Sequence, residues 1–210
     1  IDIRDIMYVL MCGTGMGFSV ERCNINNLPV ITPQTGEELD TFVVPDSKEG
    51  WCDALYLGLQ TWFGGKDVKF DYSLVRPLGA RLVTTGGTAS GPEPLAALLD
   101  FTRNVILSKQ GSKLSPINVH DIICHIGQTV VVGSVRRSAL ISISDLDDVE
   151  MRDAKTMENL NLYPYRWQAN NSAAYNEVPT DDQFLDEFNQ LRVNKTGERG
   201  MVNRYAMYHT

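Results

Sequence analysis

Much of what would announce a specialised protein is missing from these 210 residues. The four cysteines (Cys12, Cys23, Cys52, Cys124) are widely spaced and form no C-x-x-C, which argues against a zinc ribbon or a thioredoxin-like pair and favours free thiols in a reducing compartment. No apolar run reaches the roughly 18 residues a membrane span needs, and no basic leader precedes a hydrophobic stretch, so neither a membrane segment nor a signal peptide is expected. Positive charge is also scarce: 19 Lys and Arg against 26 Asp and Glu leave a net charge of −7. That balance disfavours a duplex nucleic-acid surface but not nucleotide binding, which needs only a few local amides and cations. There is no repeat of fixed period and no low-complexity tract. Two glycosylation sequons, at Asn170 and Asn194, read as chance matches without a secretory leader. Both ends look cut rather than natural, and an internal fragment is expected.

What is present is an alternation of helical and extended patterns, which predicts an α/β fold with a largely parallel sheet or barrel. Ile3, Ile6, Met7, Leu10 and Met11 have helical spacing. After Gly13, Gly15 and Gly17, the run Phe18–Glu21 alternates like a strand. Residues 24–45, with three prolines, read as a loop-rich excursion. A helix is expected to begin at Asp46, capped with the help of Glu49, and to stop at Gly64–Gly65. Val68–Tyr72 reads as a strand. Pro92 opens a helix whose apolar face is Leu95, Leu98, Leu99, Thr102, Val105 and Ile106. Further helices are expected at Asn118–Val131, from Asp147, and, as the last one, from Thr180 to near Gly197; Arg137–Leu146 reads as a strand.

Four stretches invite chemistry. The glycine run at 13–17 hints at a dinucleotide fingerprint, but a helix precedes it and a strand follows, the reverse of what that motif needs. His120 and Cys124 share a helical face with His125 nearby, a possible metal pair without a third ligand; a helix packed on the core is the plainer reading. The loop ending at Gly91–Pro92 fits an anion site at a helix start, or a simple surface loop. Gly133–Ala139 sets Arg136 and Arg137 among small residues, suited to phosphates and base edges, or to a solvated turn.

Seven segments, taken together, resemble one family: MCGTGMGFSVER (11–22), VPDSKEGW (44–51), VKFDYSLVRPLGA (68–80), GGTASGPEPL (86–95), CHIGQTVVVGSVRRSALISISDL (124–146), NNSAAYNEVP (170–179) and GERGMVNR (197–204). Their order is that of class II, adenosylcobalamin-dependent ribonucleotide reductases, especially the monomeric ribonucleoside-triphosphate reductases of lactobacilli and phages. The resemblance implies that residues 1–210 are part of a ten-stranded α/β barrel, with 24–67 an inserted excursion resembling the segment that builds an effector site. It implies thiyl-radical reduction of ribonucleoside triphosphates for DNA synthesis, adenosylcobalamin as cofactor, a dNTP effector, a thioredoxin-type reductant, and a monomeric cytoplasmic parent. It implies substrate contacts at Tyr72, Ser73, Asn171 and Ser172. A first specificity loop holds Gly86, Gly87, Ser90 and Gly91; a second holds Gly133, Ser134, Arg136, Arg137 and Ser138.

The departures are equally specific. No Asn-Pro-Cys-Gly-Glu-like finger loop occurs, and none of the four cysteines matches a catalytic position, so no catalytic residue and no metal ligand is expected here. Ser134 stands where Gly is more usual, and Arg199 where Pro is more usual. The competing readings are a nucleotide-binding regulatory module that has lost catalysis, and an unrelated α/β oxidoreductase suggested only by the glycine run.

Overall fold

The computed structural model describes residues 3–81, 87–130 and 139–209. Helix α1 (Ile3–Met11) buries Ile6, Met7 and Leu10, the face its spacing predicts. It turns at Gly13, whose φ of 80° suits glycine, into strand β1 (Gly15–Ser19). A short helix, α2 (Arg22–Ile25), follows. The excursion then contributes β2 (Phe42–Val43) and α3 (Lys48–Phe63), and β3 (Phe70–Asp71) follows it. The cap of α3 is not Asp46 with Glu49 but Ser47, which accepts from the Gly50 amide. Strand β3 is only two residues of the five expected, paired in parallel with β2.

Helix α4 (Glu93–Leu107) starts after Pro92 and buries Leu95, Leu98, Leu99, Thr102 and Ile106. Helix α5 (Pro116–Thr129) begins two residues earlier than expected, because Ser115 and Asn118 form a capping box. Strand β4 (Ala139–Asp145) and helix α6 (Val149–Asp153), capped by Asp148, come next. Helix α7 (Met157–Leu162) and a 3-10 turn (Pro164–Gln168) lead to β5 (Ala169–Tyr175). The capping box at Thr180 opens α8 (Asp181–Asn194) as expected, but α8 is not the last helix: β6 (Gly200–Asn203) and α9 (Arg204–His209) follow.

The main sheet is parallel, in the order β1-β4-β5-β6. Strand parity gives it two unlike faces. One is packed under α5: Phe18 lies 6.2 Å from the His120 ring, Leu140 is buried, and Asn171 meets His120. A Cβ at Gly127 would come within 2.8 Å of Leu140 Cδ1, so glycine is what lets α5 approach so closely. The opposite face carries Gly15, Gly17, Ser19, Ala139, Ile141, Ile143, Asp145, Asn170, Ser172, Ala174, Gly200 and Val202. It is made largely of small residues, and Ile141 is 46% exposed on it.

Candidate functional site

The open face of the sheet and the ends of its strands are where a parallel α/β sheet holds ligands, on the side of the strands' carboxyl ends. Ser172 lies on this face, at the level of Ser19, Ile143 and Gly200. Asn171 does not. Its side chain turns to the packed face, where Oδ1 lies 2.9 Å from His120 Nε2, and Nδ2 has no partner. Its main chain lies in the sheet, level with Ser142 of β4. Its amide donates to Glu198 Oε2 at 2.7 Å, and Glu198 also pairs with the buried Lys155 at 2.7 Å.

Tyr72 and Ser73 sit elsewhere, directly after β3. Tyr72 packs on Phe70 at 6.5 Å, and burial, with the Asp100 charge, pushes its hydroxyl up to about 12. It therefore stays a neutral phenol. The Ser73 amide donates to Asp71 Oδ1. Gly87 and Gly91 of the first loop have φ of 88° and 78°, a region glycine reaches without strain. The loop folds back on itself through the Ala89 amide donating to Ala80 O and the Gly79 amide donating to Ala89 O, with Ser90 half-buried between Ala89 and Gly91. Among the described residues no hydrogen bond or ring contact joins Tyr72–Ser73 to Asn171–Ser172. Gly86 and the second loop (Gly133, Ser134, Arg136, Arg137, Ser138) lie outside the described residues.

Two polar clusters escaped the sequence reading. At the packed face, Asp121 receives both arms of Arg166 at 2.8 and 2.7 Å and the Tyr165 hydroxyl at 3.1 Å, with His120 Nδ1 3.2 Å away. Burial would raise the Asp121 carboxyl pKa, but His120 and Arg166 outweigh it and hold the group below its usual range. His120 is fully buried and its pKa is raised: burial opposes its charge, and the Cys124 sulfur and Asp121 carboxylate overcome that. The i, i+4 pair His120–Cys124 is thus part of a buried hydrogen-bonded core, and no cluster of three metal-ligating residues occurs among the described residues. The second cluster lies at the carboxyl ends of the strands. Arg204 grips Glu21 with two bonds of 2.7 Å and reaches Asn176 at 3.1 Å, while Ser19 donates to Glu21. Both residues fall inside segments that carry the resemblance, but their partnership spans 183 positions.

None of the four cysteines lies in a described strand. Cys12 and Cys23 are exposed on loop and helix, and Cys52 and Cys124 are buried. Burial raises the Cys52 thiol to about 12, against the opposing pull of Arg4, so it is protonated and unreactive.

Comparison with known proteins is consistent across sequence and fold. The family described as B12-dependent ribonucleotide reductase, insertion domain, matches residues 27–106. The adenosylcobalamin-dependent ribonucleoside-triphosphate reductase of Euglena gracilis is 35% identical over 199 residues, 94% of this chain and 26% of that protein. The enzyme of the same name from Lactobacillus leichmannii is 32% identical over 229 residues, covering 92% of this chain and 30% of its own length. A crystal structure of a B12-dependent (class II) ribonucleotide reductase superposes with a TM-score of 0.80 at 28% identity, over 96% of this chain and 32% of that one. The chain belongs to the class II ribonucleotide reductases. It spans about a quarter to a third of the length of the relatives it matches. The parallel α/β architecture expected from the resemblance is that of the class II reductase. The matched insertion begins at Asn27, close to the expected start of the excursion, and runs beyond position 67 through most of α4.

Proposed function

We propose that the full-length polypeptide carrying this chain is an adenosylcobalamin-dependent reductase. It converts ribonucleoside triphosphates to deoxyribonucleotides for DNA synthesis, through a thiyl radical, in the cytoplasm, with a thioredoxin-type reductant. The observation that carries this reading is the 35% identity to a ribonucleoside-triphosphate reductase across 94% of the chain. In this reading the 210 residues are the part that frames substrate and reads the effector. Tyr72, Ser73, Ser172 and the Asn171 main chain border the substrate. The excursion at 24–67 helps form the dNTP site within a monomer, and the loops at 86–91 and 133–138 link effector to substrate choice.

The described residues do not fit the cobalamin itself. The cavity beside β1 is about 550 Å³ and is lined mainly by aliphatic and aromatic residues such as Ile6, Phe18, Leu59 and Ile123. His120 is bonded and fully buried, and His125 is stacked 3.7 Å from the Phe101 ring. In the proposed parent, residues outside this chain hold the cofactor and supply the radical and reducing thiols, in line with the absence of a cysteine from the described strands.

The test is to incubate the full-length polypeptide with adenosylcobalamin, each ribonucleoside triphosphate and a dithiol or thioredoxin-type reductant, with and without dNTPs. Deoxynucleotide formation with dNTP-dependent substrate preference is expected, and none from the 210-residue chain alone. Tight dNTP binding by the full-length polypeptide without any deoxynucleotide product would replace this reading with that of a regulatory module.

A further inference from the structure

The Glu21–Arg204 pair, with Glu21 buried and Arg204 partly buried, reaches across the main sheet between the ends of β1 and β6. Strand parity places Glu21. Glu21 lies two residues beyond Ser19, and the ladder continues past β1 through the Val20 amide, which donates to Ile143 O at 2.8 Å. Glu21 therefore falls on the side of Ser19, the open side. Arg204 opens α9 directly after β6 and Asn176 directly follows β5, and their hydrogen bonds bring both side chains to Glu21 at the carboxyl ends of the strands.

Distance makes the pair mechanically meaningful. Among the described residues, strands β1 and β6 are the two edges of the sheet, with β4 and β5 between them. Three strand spacings of about 4.8 Å would set the edges roughly 14 Å apart in a flat sheet. The two side chains nevertheless meet in a bidentate fork, and Glu21 is only 4% exposed. The pair bridges the ends of β4 and β5 and fixes how far the carboxyl ends of the two edges lie from each other. Its surroundings are ordered around the same atoms: Ser19 donates to Glu21 Oε2 at 2.7 Å, Asn24 donates to Ser19 Oγ at 2.8 Å, and Asn176 accepts from Arg204 at 3.1 Å. Arg204 and Ser19 together outweigh burial and hold the Glu21 carboxyl below its ordinary value, so the fork stays charged at neutral pH.

We infer that Glu21 and Arg204 are a positioning pair for the nucleotide site: a latch across the mouth of the open face that sets the width of the substrate pocket without touching the reacting atoms. This rests on the proposed function, because the pocket it sizes is the one bordered by Ser172 and the Asn171 main chain. Arginine is required rather than any cation, since only its planar fork satisfies both carboxylate oxygens. A pocket held at the wrong width costs binding and alignment, and misplacement on the order of 1 Å lowers turnover efficiency by about 100-fold.

The experiment uses the full-length polypeptide. Substrate KM, kcat and ribonucleotide affinity by equilibrium titration are measured for the unsubstituted protein, Glu21→Gln, Arg204→Gln, Arg204→Lys and the reversed pair Glu21→Arg with Arg204→Glu, each with its denaturation midpoint. The latch predicts KM and Kd raised roughly 10- to 100-fold in both glutamine variants. It predicts partial recovery in the reversed pair, and Arg204→Lys loose in KM although folded. Wild-type KM and Kd in the glutamine variants would overturn it. So would a reversed pair or Arg204→Lys whose KM follows the denaturation midpoint alone. If the unsubstituted protein binds ribonucleotides without reducing them, the reductase reading fails, and the variants' Kd values still decide for or against the latch.

Discussion

Arg199 shows what a single buried charge demands of its neighbours. The family resemblance leads one to expect proline here, yet the arginine is 1% exposed and almost every donor is used. It forks onto Glu187 at 2.7 and 3.1 Å, and reaches Ser144 Oγ at 3.2 Å and the carbonyls of Asp145 and Leu146. Glu187 is itself 3% exposed, the one buried residue of α8. Removing the guanidinium leaves that carboxylate desolvated and alone. Arg199→Met is therefore expected to cost about 3–5 kcal/mol. Arg199→Met combined with Glu187→Leu should recover most of the loss, because an apolar pair of similar volume replaces a buried ion pair at little net cost. Urea midpoints of wild type, single and double variants read this out. A double variant no more stable than the single one would mean that the carbonyl contacts, not the ion pair, carry the stability. The sequence alone marks Arg199 as out of place but gives no sign of its partner, which lies on a helix whose pattern reads as solvent-facing.

Between elements, α4, α5 and the 3-10 turn meet through aromatic rings. His125 on α5 stacks 3.7 Å from the Phe101 ring on α4 and lies 4.3 Å from the Tyr165 ring. Burial lowers its pKa to about 4, only partly offset by Asp121. The unfolded chain takes up this proton near pH 6.5 and the folded one near 4. The stability it confers is thus complete above about 6.5 and is lost as the pH falls toward 4. Allowing for partial solvent screening, the loss is about 1–2 kcal/mol. His125→Phe keeps the stack and should flatten this part of the pH–stability curve; equal slopes between pH 6.5 and 4 in both proteins would show the ring to be solvated. The longer helices were legible, whereas the short α2, α7 and α9 were not. Leu95, Leu98, Leu99, Thr102 and Ile106 repeat with the helical period and are the buried face of α4. Strands β5 and β6 were not. Asn170, Asn171, Ser172, Ala173 and Ala174 offer neither alternation nor branched side chains, and the sheet imposes the strand on them. Without that strand, which of Asn170, Asn171 and Ser172 faces the helices is undetermined, since a one-residue shift reverses all three.

For the whole molecule, family and architecture could be read from seven ordered segments, while the pairing of distant residues could not. Arg136 and Arg137 lie between α5 and β4, in what resembles the second specificity loop. A loop that couples two ligands contributes the difference between its states, typically about 1–3 kcal/mol. In the full-length polypeptide, Arg136→Ala or Arg137→Ala should weaken the dependence of substrate choice on bound dNTP by roughly 5-fold or more. The ratio of reduction rates for competing ribonucleotides, with and without each dNTP, measures it. Unchanged ratios in both variants would leave the arginines as a solvated turn. The strand order carries a consequence for how the chain is made. Strand β1 pairs with β4, and about 120 residues separate Ser19 from Ala139. At the usual elongation rate of about 5–20 residues per second, β1 leaves the ribosome roughly 6–24 s before its neighbour exists. During that interval the segments made between the two strands, α3, α4 and α5, are what this chain itself offers to shelter Met16 and Phe18. Early packing of α1 on α3 then serves the nascent chain as much as the finished one, by keeping an unmatched strand from finding the wrong partner.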